Sequence, residues 1–296
     1  MIRLLNKRSC SGKILLTLLC VSWAIFSIPS RATEGGGSNY LPGFYGDFAM
    51  AVVPEKGTFF NNFYAAYQDT KGQAGTILEM PGIVHATGQK ILGANFIVAL
   101  YPGVVATKDQ SNHQDMIRFG LGDAYLIPIE LNWQWGSLTA LAFEGIVVPT
   151  GYYQKGSLSA GRNIWTFDHI LSLTWQLPAA NELSITLGYM NNLKNPATNY
   201  RSGDEFHFDY MLGHYLRPEL AVGITGSHYR QTTADQASTD NLVTVNSESS
   251  TIGPVVMYTP HLLDRDITIS LKYLREFNVQ GRINQEYLVC RIFMGF

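Results

Sequence analysis

The chain has 296 residues, with 21 Lys and Arg against 23 Asp and Glu and a formal net charge of −2, a balance that excludes the basic footprint of a nucleic-acid binder. Charged residues make up 15% of it, well below the roughly 25% of ordinary soluble domains, while 16 Tyr, 15 Phe and 28 Gly crowd the rest. Such a chain is too sparsely charged for a soluble enzyme and too polar for a helical membrane protein; strands with one face to lipid and one to water accommodate both traits.

Residues 1–32 read as an export signal. Arg3, Lys7, Arg8 and Lys13 form a basic start, and Ile14 to Ile28 is apolar but short for a spanning helix. Ser30-Arg31-Ala32 then sets small residues at the two cleavage-determining positions. An uncleaved anchor is the alternative, and Leu19 before Cys20 argues against a lipoprotein. Cleavage after Ala32 leaves 264 residues at a net charge of −7, because the leader holds five Lys and Arg and no acid. Cys10 and Cys20 depart with it, so Cys290 has no internal disulfide partner.

Residues 33–57, EGGGSNYLPG followed by DFAMAVVPEKG, are Gly-rich and weakly patterned. They are expected as a flexible lead-in, with a plug folded into the lumen as the alternative. Residues 58–296 carry the strands. Thr58 to Asp69 is aromatic-rich and bounded by Gly57 and Gly72. Gly72 to Gly88 reads as loop, with Pro81-Gly82 as a turn signal. Lys90 to Thr107 resembles a membrane helix in hydropathy, but Gly93, Asn95 and Pro102-Gly103 interrupt it, so it reads as a strand ending near Pro102.

In Arg118 to Trp135 the side chains of Tyr125, Ile127, Ile129, Leu131 and Trp133 alternate with Ala124, Glu130 and Asn132, and Pro128 predicts a bulge. Gly136-Ser137 then makes a two-residue hairpin turn into a strand where Leu141, Phe143 and Val147 oppose Glu144. Asn163 to Leu177 sets Trp165, Phe167, Leu171, Leu173 and Trp175 against Thr166, Asp168, Ser172 and Thr174, with His169 breaking the apolar face. Trp165 and Trp175 are ten residues apart, about 24 Å in height for a strand tilted by roughly 45°, which matches an apolar band with an aromatic at each edge. Similar alternation runs through Glu182 to Asn191, Gly203 to Leu216 (Phe206, Phe208, Tyr210 and Leu212 against Glu205, His207 and Asp209), Glu219 to Thr232, Thr251 to Pro260, and Asp266 to Glu276 (Ile267, Ile269, Leu271 and Tyr273 against Lys272).

The last stretch, NQEYLVCRIFMGF, alternates Leu288, Cys290, Ile292, Met294 and Phe296 with Tyr287, Val289, Arg291 and Phe293. An exposed edge strand ending on phenylalanine would be sticky in water; a strand that closes a barrel offers that face to lipid. Eleven strands are clear in the sequence, and single-chain barrels are even-numbered, so a twelfth is expected in Asp47 to Pro54 or Thr76 to Gly88. Connections sort by length, short at Gly136, Pro178 to Asn181, Pro218 and Asp264, longer near Asn112, Gln154, Pro196, Asp240 and Gln280. A soluble β-sandwich would not sort them this way. The expected architecture is therefore an all-β, closed antiparallel transmembrane barrel of about twelve strands, of the bacterial outer-membrane type.

On that reading Glu130, Glu144, Asp168, Glu205, His207, Asp209, Lys272 and Arg291 line the lumen, where mixed charges mean a pore lining or a salt-bridge network. Trp133, Trp165, Trp175, Tyr210 and Tyr273 form the aromatic belts, and Leu288, Ile292, Met294 and Phe296 form the C-terminal signal read by barrel-assembly machinery. No catalytic set is marked. Asp168 and His169 are adjacent in a strand and point to opposite faces. His207 lies between Glu205 and Asp209 without a tied serine, so a polar lumen stripe is favoured over a cation site or a catalytic group. GxSxG, HExxH, CxxC and P-loop patterns are absent, and no cofactor or metal is expected.

The segments GLGDAYLIPIELNW (Gly120 to Trp133), VVPTGYY (Val147 to Tyr153), GRNIWTFD (Gly161 to Asp168) and GPVVMY (Gly253 to Tyr258), with the terminal aromatic strand, resemble the meta-pathway phenol-degradation-like family of outer-membrane transporters. The resemblance covers about Tyr40 to Phe296 and implies a barrel that helps small hydrophobic, often aromatic, compounds cross the envelope, its partners being outer-membrane lipid, lipopolysaccharide and those solutes. Gly120, Gly122 and Gly151 suit tight turns at strand ends, with Asp123 and Thr150 as caps. A non-transporting structural or adhesive barrel, and an outer-membrane lipid hydrolase relying on His207, are the alternatives.

Overall fold

The computed structural model describes residues 37–110, 116–236, 246–262 and 264–296; the proposed leader, and the longer connections expected near Asn112 and Asp240, fall outside them. Alternating strands leave each backbone with unpaired groups on both edges, and here every long strand finds two neighbours. The strands are β1 (Lys56–Asp69), β2 (Ala74–Ile91), β3 (Ala94–Asp109), β4 (Met116–Trp135), β5 (Leu138–Val148), β6 (Thr166–Leu177), β7 (Asn181–Asn192), β8 (Glu205–Arg217), β9 (Leu220–Gln231), β10 (Glu248–Tyr258), the two-residue β11 (His261–Leu262), β12 (Arg265–Gln280) and β13 (Gln285–Gly295). Sequential antiparallel pairing runs from β1 to β10, β10 pairs with β12, and β13 returns to β1 from Asp69↔Gln285 to Phe59↔Gly295. The twelve long strands thus close into an antiparallel barrel without a free edge, and β11 is a short arm on β12.

The final strand behaves as its alternation predicts. Tyr287 and Val289 are buried inside, whereas Leu288 and Phe296 are exposed on the wall, and the Phe296 amide donates to the Thr58 carbonyl at 3.1 Å across the seam. Cys290 lies on the same outward face and is half-buried. In β6 the inward set is Thr166, Asp168, Ile170, Ser172 and Thr174, all buried, and the outward set includes Leu171, Leu173 and Trp175.

Several strand expectations need correction. The twelfth strand is β2, which takes in Thr76 to Gly88, one of the two places expected for it, so the loop reading of Gly72 to Gly88 fails and Asp47 to Pro54 is not a strand. Pro81-Gly82 is not a turn: it lies opposite Tyr101-Pro102, where the β2–β3 ladder skips from Glu79↔Val104 to Ile83↔Leu100. Two prolines that lack N–H groups thereby share one gap in the ladder. The Lys90 to Thr107 stretch is likewise not one strand. Leu92 (φ 51°) and Gly93 (φ 77°) form a two-residue left-handed turn that separates β2 from β3, and β3 continues past Pro102 to Asp109.

The Pro128 bulge occurs, between Leu126 and Ile129 in the β4–β5 register, and it reverses the faces of β4. Glu130 and Asn132 point inward after it, but so do Tyr125 and Ile127 before it, so Tyr125 and Ile127 do not share a face with Ile129, Leu131 and Trp133. In β5 the inward residues are Leu141 and Phe143, which leaves Glu144 outside. Glu144 is therefore not a lumen residue. Its carboxylate meets His169 Nδ1 at 2.6 Å on the outer wall, and His169 Nε2 meets Asn191 Oδ1 at 2.9 Å.

Residues 37–54 run among the inward-facing side chains. Tyr40, Asp47, Phe48 and Ala51 are buried, and backbone groups of this segment reach several strands. The Ala51 amide donates to Thr174 Oγ1 at 3.0 Å, the Ala49 amide to Glu182 at 2.6 Å, and Asn132 Nδ2 donates to the Ala51 carbonyl. An irregular backbone needs such partners wherever water is excluded.

Candidate functional site

Inward-facing positions of the barrel are of two chemical kinds, and the segment 37–54 touches both. One side is polar. Ser172 and Thr186 share a 2.7 Å hydrogen bond, as do Thr174 and Ser184 at 2.8 Å, and Glu182 accepts from Tyr215 OH at 2.7 Å. The other side is apolar, with Phe63, Val84, Ile97, Tyr101, Ile127, Leu141, Phe143 and Ile170 packed against Phe44, Tyr45 and Val53 of the segment. This packing explains the inversion of β5: its lumen face meets aromatic rings instead of water.

The charged residues expected in the lumen divide into separate groups. Asp168, His207 and Asp209 converge: His207 Nε2 lies 3.1 Å from Asp168 Oδ1 and His207 Nδ1 lies 3.4 Å from Asp209 Oδ2, all three fully buried. The imidazole is stacked between Tyr40 at 4.3 Å and Tyr45 at 5.3 Å. Tyr40 OH donates to Asp209 at 3.0 Å, Tyr45 OH to Asp168 at 3.0 Å and Tyr125 OH to Asp168 at 2.9 Å. Glu205 turns away from this group, accepting from Asn192 Nδ2 at 3.0 Å and from Ser38 Oγ. His207 thus has two carboxylates and two rings as partners, and among the described residues no hydroxyl is hydrogen-bonded to it. Among the described residues no group of three or more His, Cys, Asp or Glu side chains could hold a metal ion.

A second group anchors the segment from the other side. Lys272, fully buried, donates from Nζ to Asp47 Oδ2 at 3.1 Å and to the carbonyls of Gly46 at 3.2 Å and Gly43, while Ser270 Oγ donates to Asp47 Oδ2 at 2.6 Å. Sequence reasoning missed Tyr40, Tyr45, Asp47 and Phe48; their signal was the aromatic density of NYLPGFYGDF inside a Gly-rich stretch. Arg291 and Glu130 form the third group, on the apolar side. Arg291 Nε donates to Asn61 Oδ1 at 2.9 Å, and Asn61 Nδ2 donates to Tyr101 OH at 2.8 Å.

Between segment and wall lies a cavity of about 130 Å³, lined by Tyr40, Phe44, Tyr45, Met50, Val52 and Val53 on one side and by Phe63, Met80, Tyr101, Ile127, Leu141 and Phe143 on the other. Glu130, Asp168 and Arg291 are its charged lining groups. The aromatic belt candidates lie on the outer wall. Trp165, Trp175 and Tyr273 are exposed, Trp133 stacks on Trp135 at 6.4 Å, and Tyr210 stacks on Phe208 at 5.9 Å. Trp175 is opposite Leu138 beside the short Gly136-Ser137 turn, while Trp165 precedes β6 at the end with the long connections.

At that same end the GLGD, PTG and GRN pieces meet. Asp123 accepts from the Gly151 amide at 2.9 Å and from the Arg162 amide at 2.7 Å, and the Ala124 amide donates to Thr150 Oγ1 at 3.0 Å. A Cβ on Gly151 would come within 2.7 Å of Gly122 and Gly161 backbone atoms, so glycine is required by close approach.

With this geometry in hand, the comparisons with known proteins are specific about fold. An outer membrane channel from Pseudomonas putida F1 superposes with a TM-score of 0.72 at 14% identity, covering 87% of this chain and 100% of that one. The Pseudomonas putida toluene transporter TodX gives 0.41 at 11% identity, covering 90% and 96%, and the translocator domain of the autotransporter NalP from Neisseria meningitidis gives 0.46 at 8%, covering 81% and 88%. No curated protein matches. The family model described as "Putative MetA-pathway of phenol degradation" matches residues 52–292, and the chain belongs to that family.

Proposed function

We propose that this protein is a passive outer-membrane channel for small hydrophobic and aromatic compounds. The observation that carries the reading is the cavity between segment 37–54 and the wall, apolar and aromatic on both sides, inside a sealed barrel whose opposite wall is polar. An apolar pocket with a few placed polar groups is the usual form of a small-molecule site. The Pseudomonas putida F1 protein of the same fold is an outer membrane channel, which supports the same activity here. In this reading residues 1–32 are removed near Ala32 on export, residues 37–54 form a lumen plug held by Asp168, Glu182, Glu205, Asp209 and Lys272, and the final strand engages the assembly machinery. Lipopolysaccharide and lipid surround the wall. In this reading the chain is not an enzyme, which the contacts of His207 with two aspartates and two rings support.

A closed structural barrel is the second reading, favoured by the number of bonds that hold the segment, Lys272 to Asp47 above all. Protein reconstituted in planar bilayers or liposomes separates the two. The channel raises conductance or aromatic-solute flux over protein-free membranes; a tight and inert barrel would leave only the structural reading.

A further inference from the structure

Buried carboxyl groups in this lumen are satisfied, with one exception. Asp47, Asp168, Glu182, Glu205, Asp209 and Glu276 each accept at least one side-chain or backbone hydrogen bond. Glu130, only 5% exposed, accepts none among the described residues. Its carboxyl fronts the cavity with no protein partner, and a carboxyl held away from bulk water without a hydrogen bond is costly. None of its described neighbours bonds to it. Glu130 follows the Pro128 bulge, which turns it inward, and it borders the aromatic-lined cavity with Ile127, Leu141, Phe143 and Tyr101. Tyr101 OH accepts from Asn61 Nδ2 at 2.8 Å and makes no hydrogen bond to Glu130. Arg291 is the charge that bears on Glu130, but it forms no ion pair with it: its Nε is committed to Asn61, and its guanidinium lies over Phe63 at 5.8 Å and Phe293 at 5.5 Å.

The cavity's volume, about 130 Å³, is close to the roughly 150 Å³ of an engineered apolar cavity that accepts benzene. A single six-membered ring is the size of guest it admits. Of the three charged lining groups, Asp168 is already bonded to Tyr45, Tyr125 and His207, which leaves Glu130 and Arg291 to restrict that guest further. Opposite charges on Glu130 and Arg291 offset one another, so a charged guest gains no net attraction to repay its own desolvation, and the pair favours a neutral molecule. A neutral ring with a hydroxyl can donate to Glu130, and a charge-assisted hydrogen bond is about twice as strong as a neutral one. A plain hydrocarbon would bury the carboxyl without satisfying it, the arrangement by which polar sites reject apolar isosteres.

We infer that Glu130 is a specificity-determining residue in the cavity, selecting small, neutral, single-ring solutes that carry a hydrogen-bond donor over hydrocarbons of the same shape. The inference rests on the channel reading and deepens it, since that reading alone makes no distinction between a hydroxylated ring and a bare one.

The test uses the full barrel with its N-terminal segment, folded in detergent micelles, and fluorine NMR binding of 4-fluorophenol and 4-fluorotoluene, each corrected for partition into empty micelles. The expected result is a preference for 4-fluorophenol of about tenfold, which corresponds to one such hydrogen bond. Glu130→Gln, checked for folding by heat-dependent gel migration, should shrink that preference to about threefold or less, and Glu130→Leu should abolish or invert it. The wild-type ratio needs no variant, so it stands even if a substituted barrel fails to fold. Equal affinity for the two probes in the wild type, or an unchanged preference in folded Glu130→Gln, overturns the inference and leaves the channel reading intact. Tighter binding of 4-fluorobenzylammonium than of 4-fluorophenol overturns the neutral class. Absence of binding by any probe removes the inference together with the aromatic-solute reading.

Discussion

Single residues decide how tightly segment 37–54 is held. Lys272 and Asp47 are both removed from water and satisfy one another, and breaking one partner of such a pair is expected to cost about 3–5 kcal/mol because the other charge stays buried. Asp47→Ala should therefore lower the denaturant midpoint more than the combined Asp47→Leu/Lys272→Met change, which removes both charges. Equal losses would show that the pair contributes only packing. Ala179 and Ala180, each at φ 57°, are a second point of strain, in the turn between β6 and β7. A left-handed alanine costs about 1–2 kcal/mol, of which glycine's greater unfolded freedom returns part, so Ala180→Gly should raise stability by about 0.5–1 kcal/mol in urea unfolding. At this scale the sequence was least legible. Alternation places Glu144 and Phe143 on opposite faces, and the usual assignment of charge to the lumen points Glu144 inward. That assignment presumes a lumen full of water, and the rings of Phe44 and Tyr45 occupy this part of it. Glu144 instead relies on His169 outside.

Among elements, the β4–β6 wall and the β2–β3 pair carry the information that periodicity alone does not. His169→Leu should leave Glu144 on the lipid-facing wall with a hydrogen-bond partner lost, at a cost of about 1–2 kcal/mol, less than the roughly 2–4 of a cation at mid-bilayer. Adding Glu144→Leu should recover the loss in the same unfolding assay, and failure to recover would place the pair outside the apolar band. In β2, a Cβ at Gly82 would fall 2.1 Å from the Tyr101 ring, so Gly82→Ala should destabilise by about 1–3 kcal/mol through overpacking. A two-residue Pro-Gly signal is ordinarily a turn, which is why the strand count could offer β2 only as one of two places for the twelfth strand. Only its neighbour shows that Pro81 and Pro102 share a gap. By contrast β6, β8 and β13 were legible almost residue by residue, because lipid on one side and a polar or packed interior on the other enforce a period of two. Pro128 was also readable as a bulge, although the consequence that Tyr125 and Ile127 turn inward was not.

The whole molecule is legible where many weak signals agree. Sparse charge, even strand count, short turns on one side and an apolar terminal strand each permit several folds, yet together they leave the closed barrel observed here. The course of residues 37–54 was not legible, since irregular chain carries no periodicity and its bonds are made to strands more than a hundred positions away, as from Tyr40 to Asp209. If those bonds keep the lumen narrow, a barrel lacking residues 37–54 should pass ions in planar bilayers at several times the wild-type conductance; an unchanged conductance would mean that the wall closes by itself. Small aromatic solutes are proposed to cross through this cylinder. The most direct measurement of that passage is the rate at which a hydroxylated single-ring solute enters cells with an intact lipopolysaccharide layer, compared between cells that make the protein and cells that do not. The account predicts faster entry with the protein and a further change when Glu130 is replaced. Identical entry rates in both cell types, with the barrel folded and present in the outer membrane, would contradict it.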